Sequence, residues 1–206
     1  MMLRIAAAAS VVLGLTILVL YLDLLGKVPW SSAEDRHLRA MKDRTATPAT
    51  FEPFTFRDME ALPRHGPLSQ YAPYERRAVS LEGFVQRTLR APDGDIHLDF
   101  ADTLEAEGRL VPFLSAEITP QWHLSSERWR YERMAAVFRP YIGGPTRWDA
   151  PPRRVRLSGW LMYDFEAEGT PIVFGFSRHT TFWEIHPVTR IEAWDDSLAR
   201  FVEFPR

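Results

Sequence analysis

Four residues stand where chemistry is possible: His97, Glu117, Glu184 and His186. Each lies in a segment of alternating polar and apolar residues, and in an extended chain successive side chains point to opposite faces. If Ile96, Leu98 and Phe100 point into a core, His97 and Asp99 point out. The same parity turns Ser115, Glu117 and Thr119 away from Leu114, Ala116 and Ile118, and Glu184 and His186 away from Trp183 and Ile185. On adjacent strands, the four would form one polar patch able to hold a ligand without a cofactor. Imidazoles and carboxylates are also ligands that zinc or another divalent metal accepts, and an open site of that kind activates water. A metal-dependent hydrolase using His97, Glu117 and His186 is therefore the alternative reading. No spacing here is a metal signature of the H-E-x-x-H kind. The plainer account has His97 and His186 fixing the fold through hydrogen bonds to backbone or carboxylates.

Five strands must position these residues. Period-2 patterning predicts them at residues 78–89, 95–101, 111–119, 154–163 and 182–193, with Pro92, Asp93 and Gly94 forming the first turn. Residues 125–138 read as a helix, with Ser126 as N-cap and Pro140, Gly143 and Gly144 as the stop. The order β-β-β-α-β-β is that of an OB-fold-like five-stranded barrel, in which a helix after the third strand plugs one end. The run Val79-Ser80-Leu81-Glu82-Gly83-Phe84-Val85 is echoed by Val155-Arg156-Leu157-Ser158-Gly159-Trp160-Leu161. These would be the first and fourth strands, neighbours in such a barrel, with a glycine in each where the strand bends.

The string Trp183-Glu184-Ile185-His186-Pro187-Val188-Thr189-Arg190-Ile191-Glu192, taken with Ala116-Glu117-Ile118-Thr119-Pro120, Asp95-Ile96-His97-Leu98 and the fourth-strand run, resembles a group of small bacterial exported or membrane-anchored proteins. Their last strand reads W-E-[IL]-H-P-V-T-x-I-E. The resemblance covers residues 78–194 and implies an OB-like barrel; it brings no activity with it.

On the outer face of the echoed strands, Phe84 and Trp160 would sit side by side as a ligand-stacking pair. OB barrels often stack bases on such aromatics, and Arg128, Arg130, Arg133, Arg139, Arg147, Arg153, Arg154 and Arg156 concentrate in one stretch. Against this, Asp93, Asp95, Asp99, Asp102, Glu105 and Glu107 crowd the second strand and its exit, where they would repel phosphates. Nucleic acid is disfavoured as a partner; a protein or small molecule is preferred. A long loop, residues 165–180, carries Phe165, Phe174 and Phe176 and could cover the barrel mouth or simply extend a hairpin.

The rest of the sequence narrows the classes. The chain has no cysteine, which excludes disulfides, thiolate zinc sites and cysteine nucleophiles. A net charge of −2 provides no field to recruit nucleic acid or acidic lipid. There is no G-x-S-x-G elbow, phosphate-binding glycine loop or Rossmann fingerprint.

Residues 5–22 are 18 consecutive uncharged residues, which as a helix would span about 27 Å, close to the apolar thickness of a bilayer. They are read as a retained single-pass anchor in a bacterial inner membrane, in preference to a cleaved signal. Lys27, Arg36, Arg39 and Lys42 follow the apolar run and argue for a cytoplasmic domain. The short, weakly charged N-tail argues for a periplasmic one, which is preferred. The expected organisation is an N-terminal transmembrane anchor at 1–27, a proline-rich linker and membrane-proximal segment at 28–73 with a short helix near 33–44, and the mainly β domain at 74–206. Together these features suggest a membrane-tethered binding or scaffolding module.

Overall fold

The computed structural model describes residues 15–18, 32–104, 110–138, 141–142, 148–169 and 179–204. They fall into two compact units, residues 1–40 and 41–206. In the first, Leu15, Thr16, Ile17 and Leu18 are helical. No described helix is long and apolar enough to cross a membrane, and the remainder of the expected anchor lies outside the described residues. Helix α1 (Ala33–Lys42) forms where a short helix was expected near 33–44. Its first turn is closed reciprocally: Ser32 N donates to Asp35 Oδ2 at 2.8 Å and Asp35 N to Ser32 Oγ at 3.0 Å.

The second unit is mainly β. Its elements are β1 (Glu52–Pro53), α2 (Phe56–Glu60), α3 (Leu68–Glu75), β2 (Ala78–Arg90), β3 (Ile96–Ala101), β4 (Leu114–Ile118), α4 (Pro120–His123), a 3₁₀ turn (Glu127–Trp129), α5 (Tyr131–Val137), β5 (Arg154–Tyr163), α6 (Phe165–Gly169), β6 (Trp183–Asp195) and β7 (Arg200–Glu203). Strands β2, β3, β4, β6 and β5 pair in that order, and β5 returns to β2, so five strands close a barrel. Only the β4–β6 seam of this ring is parallel. The short β1 adds to β2 and β7 to β6. The first and fourth barrel strands are paired, and the second, third and fifth are consecutive, as the patterning requires.

The alternation places Val79, Leu81, Val85, Ile96, Leu98, Phe100, Leu114, Ala116, Ile118, Val155, Leu157, Leu161 and Ile185 in one buried core. The two echoed glycines sit where another strand comes closest. A Cβ on Gly159 would lie 2.2 Å from the Pro187 carbonyl oxygen, and one on Gly83 would lie 2.5 Å from that of Ala101. The β5–β6 register shifts on either side of Gly159, so the absent side chain admits an irregular seam there.

Three expectations are modified. The third strand starts at Leu114 because the Gln86 amide takes both backbone groups of Val111, donating to its carbonyl at 2.9 Å and accepting from its N–H at 3.1 Å. The expected helix at 125–138 divides at Arg130, whose backbone is extended, into the 3₁₀ turn capped by Ser126 and the helix α5. Met134 and Phe138 still bury themselves in the core, so the element packs on the barrel. Residues 41–73, read as linker, belong to the folded unit. Phe56 packs on Phe100 with ring centroids 5.2 Å apart, Tyr71 stacks on Tyr163 at 4.2 Å, and the Pro63 carbonyl accepts from the Trp183 indole at 2.8 Å. Of the loop 165–180, residues 165–169 form α6 and 179–180 are described, while 170–178 lie outside the described residues.

A buried histidine and carboxylate cluster as candidate functional site

Strand register builds the cluster. His97 on β3 lies opposite Glu117 on β4, and Ala116 lies beside Ile185 on β6, which brings Glu117 next to Glu184 and His186. His97 Nε2 is 2.9 Å from Glu117 Oε1. The His186 ring is held between carboxylates: Nδ1 is 3.3 Å from both Glu117 Oε2 and Glu184 Oε2, and Nε2 is 3.3 Å from Asp95 Oδ2. The four residues expected to form one patch therefore do come together.

Their exposure differs from the expected ligand surface. His186, Glu117 and Glu184 are buried, and only His97, with 32% of its side chain exposed, reaches the rim. The cause is a strap formed by the chain after Met41. Arg44 fastens it with four hydrogen bonds to backbone carbonyls, from Nε to Met41 at 2.9 Å, from Nη1 to Glu75 at 2.7 Å, and from Nη2 to Leu161 and His186 at 2.8 Å each. The Trp122 indole donates to the Arg44 carbonyl at 3.2 Å and the Trp160 indole to that of Ala46 at 2.8 Å. Strand alternation correctly identified the outward face, but a segment distant in sequence closes over it.

The environment favours charge on the basic groups. Burial opposes the charge on His97, but the Glu117 carboxylate outweighs it and holds the imidazole up at about 9. Burial likewise opposes the charge on His186, and Glu117, Asp95 and Glu184 together raise it to about 10. Lys42 is raised despite burial by Glu117, Asp164, Glu184 and Asp93. Among the acids, Glu117 is raised by burial and by Glu184, whereas His186 overcomes burial to lower both Asp95 and Glu184. Burial, with Glu184 beside it, pushes Asp164 up to about 6. These are interlocked charges in a low-dielectric setting, where losing one partner is costly.

Three members escaped the sequence reading. Asp95 shares the parity of His97 and Asp99, a usable signal that was read only as phosphate-repelling charge. Lys42 and Asp164 lie outside any strand, and no local pattern connects them to the cluster. The expected metal triad also changes, because the donor atoms that converge within 4.8 Å of one another belong to Asp95, Glu117 and His186. His97 engages Glu117 from its other oxygen instead.

Phe84 and Trp160 are not the expected side-by-side pair. On the β2–β5 ladder Phe84 lies opposite Arg154 and Trp160 opposite Ala78, at opposite ends of the register. Between them runs a face of paired charges, with Glu82 opposite Arg156 and Arg156 opposite Glu192. Beside it, Ala49, Phe51, Phe54, Arg57, Ser158 and Arg190 help line an open groove of about 1040 Å³. Phe84, Arg154 and Trp194 contribute to a second of about 800 Å³. None of the cluster residues lines either groove. No protein-family model matches the chain, and no curated protein shows significant sequence similarity to it.

Proposed function

We propose that this chain is a membrane-tethered OB-like module that binds a partner through the groove on the β2–β5–β6 face. The observation carrying this reading is the contrast in access: the histidine and carboxylate cluster is strapped over, whereas an open groove is lined by ionic side chains and half-buried aromatic ones. The ring order β2-β3-β4-β6-β5 supports the OB-like reading. The uncharged run at residues 5–22 supports the tether, and the likeness of residues 78–194 to small bacterial anchored proteins points the same way. Phe51 and Phe54 suit an apolar group, and Arg57, Arg190 and Glu82 suit a charged one, so a polypeptide or amphipathic small molecule is the matching ligand class.

Hydrolysis is disfavoured because water activation needs a substrate route to the cluster, and its histidine and glutamates are buried. Nucleic acid is disfavoured because Arg154 and Arg156 are already bridged to Glu82, and Arg190 to Glu192. A photo-reactive phenylalanine at the exposed Arg57 position, introduced in the full chain within membranes, tests the groove. One discrete adduct is expected from that position, lost with Arg190→Glu, and none from the exposed Leu124 position. The same adducts from both positions, or none from Arg57, overturns the reading. Deleting residues 1–27 should release the protein from the membrane fraction.

A further inference from the structure

We propose that Asp95, Glu117 and His186 form a structural site for a divalent transition-metal ion, zinc being the best match, which ties the β3 entrance to β4 and β6. The residues converge with one donor atom each within 4.8 Å of one another, and all three are buried. A second observation points into the same space: His186 Nε2 and Glu117 Oε2 are fully buried and make no well-aligned hydrogen bond among the described residues, facing only Asp95 Oδ2 and His186 Nδ1, respectively, at 3.3 Å. Buried polar atoms are rarely left in that state.

The surroundings orient these two atoms as metal ligands are usually oriented. His186 Nδ1 lies 3.3 Å from both Glu184 Oε2 and Glu117 Oε2, so Nε2, which faces Asp95, is the imidazole donor, while Glu117 Oε1 contacts His97 at 2.9 Å. A carboxylate behind a ligating imidazole fixes its tautomer and ring plane. Around an ion with bonds of about 2.1 Å, neighbouring donors lie roughly 3.0–3.4 Å apart. The separation of His186 Nε2 from Asp95 Oδ2 is 3.3 Å. One imidazole with two carboxylates favours zinc or manganese over the purely oxygen-liganded magnesium and calcium.

Two carboxylates and one imidazole suit a divalent cation, which binds the imidazole nitrogen only when that nitrogen carries no proton. Burial of the ligands makes the role structural, and the proposal does not depend on the groove reading.

The test uses the full chain in detergent, without a histidine tag, stripped with EDTA and titrated with zinc chloride and then cobalt chloride. One equivalent of zinc should bind and raise the Tm by about 5 °C or more, and cobalt should give the visible absorption of a nitrogen- and oxygen-ligated ion. Asp95→Asn and Glu117→Gln should weaken zinc binding by about tenfold or more, and Arg200→Ala on the remote β7 should not. Where a variant fails to fold, the wild-type stoichiometry, Tm and cobalt spectrum decide. Absence of a Tm rise with less than a tenth of an equivalent bound, or equal binding by folded Asp95→Asn, overturns the proposal and leaves His186 as an imidazolium clasped by carboxylates.

Discussion

The two halves of the barrel's outer surface are built from the same pattern and meet opposite fates. On β3, β4 and the first part of β6, the outward residues Glu117, Glu184 and His186 form a buried network that reaches solvent through His97 at its rim. On β2, β5 and the second part of β6, the outward residues Glu82, Arg156 and Arg190 form ionic rows beside an open groove. Both halves alternate with period two, and both carry acids next to bases. The difference arises from residues 41–46, which Arg44 and two indole donors hold over the first half. The same ion pairs are therefore immersed in protein on one side and in water on the other, and their energetic weights should differ accordingly.

Removing the fastening should break the contrast most severely. Arg44→Ala leaves four backbone carbonyls without their charged donor, which at roughly 1 kcal/mol or more for each lost bond amounts to about 4 kcal/mol. Urea unfolding monitored by tryptophan fluorescence should show that loss. Hydrogen exchange should also show the Glu184 to His186 stretch becoming accessible before global unfolding. Unchanged exchange with stability within about 0.5 kcal/mol of wild type would mean that the strap is not what closes this face.

The next effect is inside the network. Glu184→Gln keeps the shape but withdraws one of the three carboxylate charges from the His186 imidazole; breaking a buried pair outright costs about 3–5 kcal/mol, and because Glu117 and Asp95 remain, the loss should fall at or below about 3 kcal/mol. Because both partners are buried, the loss should persist in 1 M salt, where a surface pair would be screened. A salt-sensitive loss would place the cluster in water after all.

The barrel itself was legible for a physical reason. Strand parity is local, and inward residues such as Leu81, Leu98 and Leu157 are apolar wherever the outward ones are polar. The echoed glycines, Gly83 and Gly159, marked real points of close backbone approach. The meeting of His97, Glu117, Glu184 and His186 followed from parity together with strand order. What parity could not give is the state of the outward face. Arg44 and Lys42 lie more than fifty residues before His97 and come from a segment with no strand pattern, so their place over β4 and β6 is purely tertiary. The offset between Phe84 and Trp160 was hidden differently: matching sequence positions in two antiparallel strands are not opposite each other in register.

The smallest effect sharpens the comparison from the open side. Arg156 bridges Glu82 at 2.6 Å, reaches Glu192 at 3.5 Å and lies over the Phe201 ring at 4.1 Å. Its side chain is 33% exposed, however, and exposed pairs of this type contribute about 0–1 kcal/mol because water screens them and two long side chains must be held still. Arg156→Ala should accordingly cost less than about 1 kcal/mol in the same urea experiment, most of it through lost packing on Phe201, and the ionic part should vanish in high salt. A loss matching that of Glu184→Gln would show that solvent access does not separate the two faces, and the groove would then have to be read as part of the stabilising core.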